Sequence, residues 1–239
     1  MGQYGAMTVS RKARGTLALL GGGEFAEGCR PIDEYLLEVS GATEIVVLPT
    51  ASAFERPEKA VDRATAWFAE LGVTVRPVMV LNRRDAQDDV NVKAIKGAAF
   101  VYLTDGSPLH LRSVLKESSL LAVLVAGYRN GGVLAASGAG ATVLGDPMVD
   151  PRGGAYTVGL GVVSNLAIFP YHGSAADHLR KRSVELLAEH AILAGVDEHT
   201  ALVRPPDGPW RALGAGAVTL YSEGRVQRHQ DSEIDTLKM

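Results

Sequence analysis

The chain has 239 residues, of which 46% are hydrophobic and 21% are charged, and its formal net charge is −3. These values favour one large hydrophobic core, and a near-neutral charge without a basic stripe argues against nucleic acid as a partner. The single cysteine, Cys29, excludes an intramolecular disulfide and a thiolate metal cluster, and it favours a reducing, cytoplasmic setting.

The first strand is predicted at Thr16–Leu20, after a basic segment. Arg11, Lys12 and Arg14 precede it as the basic residues of a signal peptide would, but the apolar run is too short and ends at a triple glycine. No apolar run reaches transmembrane length, so we expect no membrane contact. We predict a flexible tail over residues 1–13, a single α/β domain over 14–228 and a C-terminal tail over 229–239.

Short apolar runs then alternate with helical segments, which is typical of a mostly parallel sheet with helices on both faces. The predicted strands are Thr16–Leu20, Glu44–Leu48, Val73–Val80, Ala99–Leu103 and Gly132–Ala135. The predicted helices are Cys29–Ser40, Arg56–Leu71, Val90–Lys96, Leu109–Glu117 and Leu120–Asn130.

The last third of the chain has a different pattern, with turns at Asp207-Gly208 and Glu223-Gly224. These turns between short apolar runs predict a small antiparallel C-terminal extension. The predicted strands are Tyr156–Val163, Ala167–Phe169, Leu202–Arg204, Ala212–Leu213 and Val218–Tyr221, with one long helix at Ser174–Ala194.

Small or polar loops follow three of the predicted parallel strands. They are Gly21-Gly-Gly-Glu24, Leu48–Ala53 and Thr104–Pro108. Each could be an ordinary connection, and Ser107-Pro108 is a good helix cap followed by a first-turn proline. Because open α/β sheets bind ligands at the carboxyl ends of their strands, the coincidence of these loops predicts a pocket at that edge.

The segment Gly132–Ala141 is typical of a nucleophile elbow, in which a buried strand leads through a tight turn into a helix. Small residues there allow backbone N–H groups to approach a developing oxyanion. The residue at the apex is Gly138, which has no side chain. The sequence therefore predicts the scaffold of a hydrolase without its nucleophile.

Taken together, these motifs resemble the cyanophycinase and dipeptidase E (alpha-aspartyl dipeptidase) group of serine peptidases. The segments that carry the resemblance are Leu19–Glu24, Val46–Ser52, Arg84–Ala86, Asp105–Pro108 with Leu111 and Leu115, the elbow, and Gly195–Leu202. The resemblance extends from about Thr16 to Tyr221. It implies a flavodoxin-like fold of the class I glutamine amidotransferase type.

Within this resemblance, the nucleophile and the histidine are not matched. Gly138 occupies the nucleophile position, and Ser137 falls one residue early, where we expect its hydroxyl to bond local backbone. Tyr171 occupies the histidine position and His172 falls one residue late. A tyrosine with an ordinary pKa near 10 is a poor general base at neutral pH.

Two further features of the resemblance bear on the site. Asp150 or Asp146 would supply a third triad member, and Asp105 replaces a glycine that the family commonly has at the oxyanion site. A carboxylate there opposes the charge that an oxyanion hole stabilises. The candidate ligand-binding residues are Gly22, Gly23, Ser52, Asp105, Gly106, Ser107 and Ala139.

Three functions remain open on this sequence. The first is a non-hydrolytic relative that binds a small peptide-like or amino-acid-derived molecule. The second is an active serine-type peptidase or amidase that uses Ser137 and His172, and the third is a regulatory or structural subunit that binds a protein partner. No cofactor is implied, the histidines lack metal-ligand spacing, and a homodimer is compatible with the sequence.

Overall fold

The computed structural model describes residues 14–237 as an α/β protein with two large sheets. The helices are α1 (Arg30–Ser40), α2 (Pro57–Glu70), α3 (Asp89–Ile95), α4 (Pro108–Leu115), α5 (Ser119–Arg129), α6 (Ala139–Leu144) and α7 (Asp177–Glu185). The strands are β1 (Leu17–Leu20), β2 (Glu44–Leu48), β3 (Thr74–Pro77), β4 (Phe100–Leu103), β5 (Val133–Ser137), β6 (Gly145–Asp146), β7 (Met148–Val149), β8 (Tyr156–Thr157), β9 (Val163–Ser164), β10 (Leu166–Phe169), β11 (Ile192–Val196), β12 (Thr200–Arg204), β13 (Trp210–Gly214), β14 (Val218–Ser222), β15 (Arg225–His229) and β16 (Ser232–Ile234).

The central sheet has the order β16-β13-β12-β1-β5-β4-β2-β3. Its strands β1 to β5 run parallel, and β12, β13 and β16 add antiparallel pairing on the β1 side. In this register Leu20 pairs with Ser137, and Leu48 pairs with Leu103. The parallel strands therefore end together, which places the loops after β1, β2, β4 and β5 along one edge of the sheet.

Helices cover both faces of this sheet, as the sequence predicts. Along β1, Ala18 and Leu20 pack towards α1 and α2, whereas Leu17 and Leu19 belong to the core shared with α3, α4, α5 and α6. These four side chains are fully buried. Buried parallel strands carry apolar residues on both sides, which explains their continuous apolar runs.

The second sheet has the order β15-β14-β11-β10-β6-β9. One of its faces contributes Ile168, Ala194 and Leu220 to the main core, and Phe169 and Leu193 on the other face pack with Leu179 from α7. The predicted antiparallel extension is thus divided: β12, β13 and β16 enlarge the central sheet, while β14 and β15 enlarge the second sheet.

The predicted long helix Ser174–Ala194 is wrong. Only α7 is helical, and Ile192–Val196 forms β11 between β10 and β14. Leu193, Ala194 and Val196 are fully buried there. Burial between two neighbouring strands outweighs the helix propensity of the alanine- and leucine-rich segment, because propensity is a weak prior.

Two predicted strands are also too long. Residues Tyr156–Val163 form β8 and β9 separated by a loop, since Gly159 lies against the Gly145 carbonyl and Gly161 has a φ of +66°. Val73–Val80 shortens to β3, an edge strand whose last bond to β2 runs from the N–H of Val78 to the Val47 carbonyl at 2.9 Å. The N–H of Val80 then donates to the Val78 carbonyl at 2.9 Å, so the chain turns there instead of continuing the ladder.

The predicted C-terminal tail over 229–239 contains ordered structure. β16 pairs with β13, and Ile234 and Leu237 are buried in the main core. The predicted tail over residues 1–13 lies outside the described residues. Within the described part of the chain, none of the helices has the length and apolar character required to cross a bilayer.

Candidate functional site

The predicted elbow is present at the carboxyl end of β5. Gly138 has φ 50° and ψ −109°, and it joins β5 directly to α6. Its N–H donates to the Leu20 carbonyl at 3.0 Å, and its carbonyl accepts from the Thr142 N–H at 3.0 Å. This backbone conformation is strained for any residue with a side chain, and it is the sharp turn that raises a nucleophile in hydrolases.

The carboxylate of Asp105 occupies the space above the apex. A Cβ placed on Gly138 would lie 2.2 Å from both Cγ and Oδ1 of Asp105. These separations are far below van der Waals contact, so a side chain at position 138 would require the carboxylate of Asp105 to leave its present position. Asp105 follows β4, the strand beside β5 in the sheet.

Two backbone N–H groups converge on Asp105. Its Oδ1 accepts from the N–H of Ala139 and from the N–H of Gly106, each at 2.7 Å. In elbow hydrolases the oxyanion hole combines the N–H after the nucleophile with an N–H from another loop. An oxygen of Asp105 thus holds the position where an oxyanion would be stabilised, rather than merely lying nearby.

The loop that carries Asp105 is fixed to the loop after β2. Gly106 has a φ of +146°, and a Cβ there would lie 2.4 Å from the Ala51 carbonyl oxygen. The N–H of Ser107 donates to the Ala51 carbonyl at 2.8 Å. The Ser107 Oγ accepts from the N–H of His110 and so caps α4. Ser52 is buried, with its hydroxyl donating to the Pro49 carbonyl at 3.0 Å.

Tyr171 completes the hydrogen bonds to the Asp105 carboxylate. Its hydroxyl donates to Oδ2 of Asp105, and its backbone N–H donates to the Gly21 carbonyl at 2.7 Å. The ring lies over Gly22, where a Cβ would be 2.3 Å from Cζ. Burial raises the pKa of Tyr171 well above its ordinary value, and the Asp105 carboxylate adds to this effect. Tyr171 therefore stays protonated and acts as a donor.

Glu24 is a site residue that the sequence did not assign. Its carboxylate is buried and accepts from the Ser137 hydroxyl at 2.8 Å and from the Asp105 N–H at 3.2 Å. Arg63 lies 3.7 Å from Oε1. Ser137 therefore bonds an acidic side chain rather than the expected local backbone. The sequence feature that could have identified Glu24 as a site residue is its place directly after a triple glycine at the end of a strand.

His172 is directed away from the elbow, into the second sheet. Its Nε2 lies 2.9 Å from the Tyr221 hydroxyl, and its Nδ1 lies 3.5 Å from Oδ1 of Asp197. The ring packs over Gly195, where a Cβ would be 2.2 Å from Cδ2. Burial lowers the pKa of His172, partly offset by Asp197. Ser137 and His172 have different partners, and the structure does not join them.

The two candidate third members of a triad also have other partners. Asp150 pairs with Arg152 through contacts of 2.6 and 3.0 Å, and this hydrogen bonding lowers the pKa of Asp150. Asp146 accepts from the N–H of Gly159 at 3.2 Å. Neither carboxylate therefore orients Tyr171 or His172. Across residues 14–237, no group of histidine, cysteine and acidic side chains is arranged to hold a metal ion.

Cavities lie on both sides of the Asp105–Tyr171 pair. On one side is a cavity of about 280 Å³, which we call the apolar cavity. Its lining includes Pro108, Ala139, Val149, Phe169 and Leu179. On the other side is a groove of mixed charge, which we call the polar groove, lined by Arg56, Lys59 and Arg63 from the start of α2, together with Gly23, Glu24, Ser52 and Glu55. Asp105, Gly106 and Tyr171 border both spaces.

A strained elbow at the carboxyl edge of a parallel sheet, with two amides converging above it, is the arrangement of α/β proteins built on a nucleophile-elbow scaffold. The model of peptidase family S51 matches residues 17–207, and the chain belongs to this family. The family and the α/β fold that the sequence predicts are thus confirmed.

Individual relatives agree with this assignment. The chain is 26% identical to a cyanophycinase of Nostoc sp. (strain PCC 7120) over 244 residues, which cover 95% of this chain and 80% of that protein. It is 25% identical to a cyanophycinase of Synechococcus elongatus over 240 residues, covering 93% and 72%.

Solved structures show the same fold. A peptidase from an acI-B1 Actinobacterium superposes with a TM-score of 0.84 at 26% identity, covering 93% of this chain and 97% of that one. A peptidase E-type protein from Listeria monocytogenes EGD-e gives a TM-score of 0.62 at 15% identity, covering 92% and 100%, and it supports the fold alone.

Proposed function

We propose that this S51 member has lost serine peptidase activity and binds a small peptide-like or amino-acid-derived ligand beside the former catalytic position. The observation that carries the proposal is the Asp105 carboxylate, which fills the space of a side chain at Gly138 and accepts from both amides of the hole. A carbonyl substrate needs this position for its developing oxyanion, and a carboxylate there repels it.

The other components of acyl transfer support the same conclusion. Tyr171, in the position of the general base, is a protonated donor to Asp105. Gly138 supplies no nucleophile. Because nucleophile and base act as a unit, loss of either removes most of the rate enhancement, and restoring one alone recovers little.

An active enzyme that uses Ser137 and His172 has less support. The Ser137 hydroxyl is fully buried on Glu24, and a nucleophile must reach a substrate carbonyl. The His172 ring bonds Tyr221 in the second sheet, so a relay to Ser137 would require both side chains to leave their partners. A regulatory or structural role, a homodimer and a cytoplasmic location stay predictions.

We expect the purified protein to give no turnover of aspartyl dipeptides above the buffer rate, because no nucleophile faces the substrate position. The measurement is amine release over hours at high protein concentration, with a known amount of free amino acid added to a parallel sample as a check that the assay detects release. Circular dichroism establishes that the inactive protein is folded. Turnover that copurifies with the protein and disappears in Ser137→Ala would contradict the proposal and favour Ser137 as nucleophile.

A further inference from the structure

The apolar cavity has walls suited to a small organic molecule. Its volume of about 280 Å³ is near the lower end for small-ligand pockets. Val149 and Phe169 are buried side chains of its wall, and Leu179 of α7 closes one side. The polar side chains of its described lining are Asp105, Thr142, Asp150 and Tyr171, and the Tyr171 hydroxyl donates to Asp105.

Asp105 is a half-buried carboxylate whose hydrogen-bonding capacity is not exhausted. An ionised carboxylate offers about four acceptor positions. Oδ1 accepts two backbone N–H groups, and Oδ2 accepts one hydroxyl, from Tyr171. One acceptor position on Oδ2 therefore remains for a further donor.

The charge of Asp105 has no cation against it. Among residues 14–237, the ion pairs within 4.0 Å do not include Asp105. The groups that donate to its carboxylate are neutral, and its own N–H donates to the carboxylate of Glu24. A partly desolvated carboxylate without a counter-charge favours an approaching cation.

The two cavities that border Asp105 differ in the side chains of their walls. The polar groove has mixed charges, with Arg56, Lys59 and Arg63 beside Glu24 and Glu55, and Ala60 is the one aliphatic side chain in its described lining. Among the described residues, the lining of the apolar cavity includes no lysine, arginine or histidine, and its second carboxylate, Asp150, is already paired with Arg152. A cation with an apolar body therefore fits the apolar cavity, where apolar walls meet the Asp105 carboxylate and no basic side chain of the lining competes for it.

We infer that the apolar cavity binds a small primary amine in its ammonium form, with the apolar body against Val149, Phe169 and Leu179 and the ammonium donating to Oδ2 of Asp105. The inference rests on the proposed function, since it names the ligand class of the same non-hydrolytic site. In this arrangement Asp105 is a ligand-binding residue, and Tyr171 is a positioning residue that fixes the carboxylate.

Three ring compounds of similar shape test this assignment at pH 7 by isothermal titration calorimetry. We expect benzylamine to bind at least about tenfold more tightly than benzyl alcohol, which cannot make the charged contact, and benzoate to bind more weakly than either. Asp105→Asn keeps an oxygen for the two amides and removes the charge. In this variant the preference for benzylamine over benzyl alcohol should fall to within about threefold of unity.

Asp207→Asn is the matched control, because it removes an exposed carboxylate from the turn after β12 and should leave the preference unchanged. Equal binding of benzylamine and benzyl alcohol by the unaltered protein would overturn the cation assignment while leaving a ligand cavity in place. Absence of binding by all three compounds would also overturn it. Turnover of aspartyl dipeptides would contradict the proposed function whatever the preference among these ligands.

Discussion

Gly138→Ser is expected to lower the free energy of unfolding by at least about 2 kcal/mol and to leave the protein without peptidase activity. The new Cβ would lie 2.2 Å from Cγ and Oδ1 of Asp105, so the carboxylate must leave its two N–H donors. The elbow conformation adds strain, because φ is 50° and ψ is −109°. Steric exclusion and elbow strain therefore act in the same direction.

A double-mutant cycle separates the two causes by urea unfolding. Asp105→Gly removes the carboxylate, so Gly138→Ser should cost at least about 1 kcal/mol less in that background than in the unaltered protein. Asp105→Asn is the control, because asparagine has nearly the volume of aspartate and should give no such relief. If Gly138→Ser lowers the free energy of unfolding equally with aspartate, asparagine or glycine at position 105, the side chain of Asp105 does not occupy the space of the nucleophile.

Asp33→Asn is expected to stabilise the protein at pH 8 by up to about 4 kcal/mol and to have little effect at pH 4. Asp33 lies on α1 with no exposed surface, its Oδ2 accepts from Nε1 of Trp67 at 2.8 Å, and its Oδ1 has no hydrogen-bond partner among the described residues. Burial is the main cause that raises the pKa of Asp33 to about 7, and the bond from Trp67 opposes it.

The direction of the pH effect follows from proton linkage. The unfolded chain loses the Asp33 proton near pH 4, whereas the folded protein keeps it to about pH 7. The folded state binds the extra proton between these values, so the contribution of Asp33 to stability is greatest below about pH 4 and falls as pH rises to about 7. The asparagine variant has no such proton and should lose this pH dependence.

Urea unfolding from pH 4 to pH 8 measures the effect. Glu38→Gln is the matched control, because it removes an exposed carboxylate from the same helix and should leave the pH dependence unchanged. The same difference between Asp33→Asn and the unaltered protein at both ends of the range would mean that Asp33 titrates normally in the folded state.

Much of the central sheet could be predicted from the sequence. Glu44–Leu48 forms a strand with the predicted bounds. Its continuous apolar run was recognisable because a central parallel strand is buried on both faces of the sheet. Ile192–Val196 could not be recognised in the same way, because its alanine and leucine suit a helix equally well. The partner strands β10 and β14 decide between the two, and they are separate segments of the chain.

Only part of the candidate site could be predicted from the sequence. The resemblance to the family's motifs is what assigned Gly138, Tyr171 and Asp105 to the nucleophile, histidine and oxyanion positions, and these assignments stay predictions. Spacing could not show that Asp105 enters the hole, since this depends on how closely the loop after β4 approaches the elbow. The bond between Ser137 and Glu24 spans 113 residues and depends on β1 and β5 being neighbours.

The central claim is that no nucleophile faces the oxyanion position. Its most direct test is incubation of the folded protein with a fluorophosphonate serine probe, followed by mass spectrometric mapping of any labelled residue. We expect no labelling above that of the heat-denatured protein, because the Ser137 hydroxyl is buried on Glu24 and position 138 has no side chain. Stoichiometric labelling at Ser137 would contradict the claim and establish a displaced nucleophile.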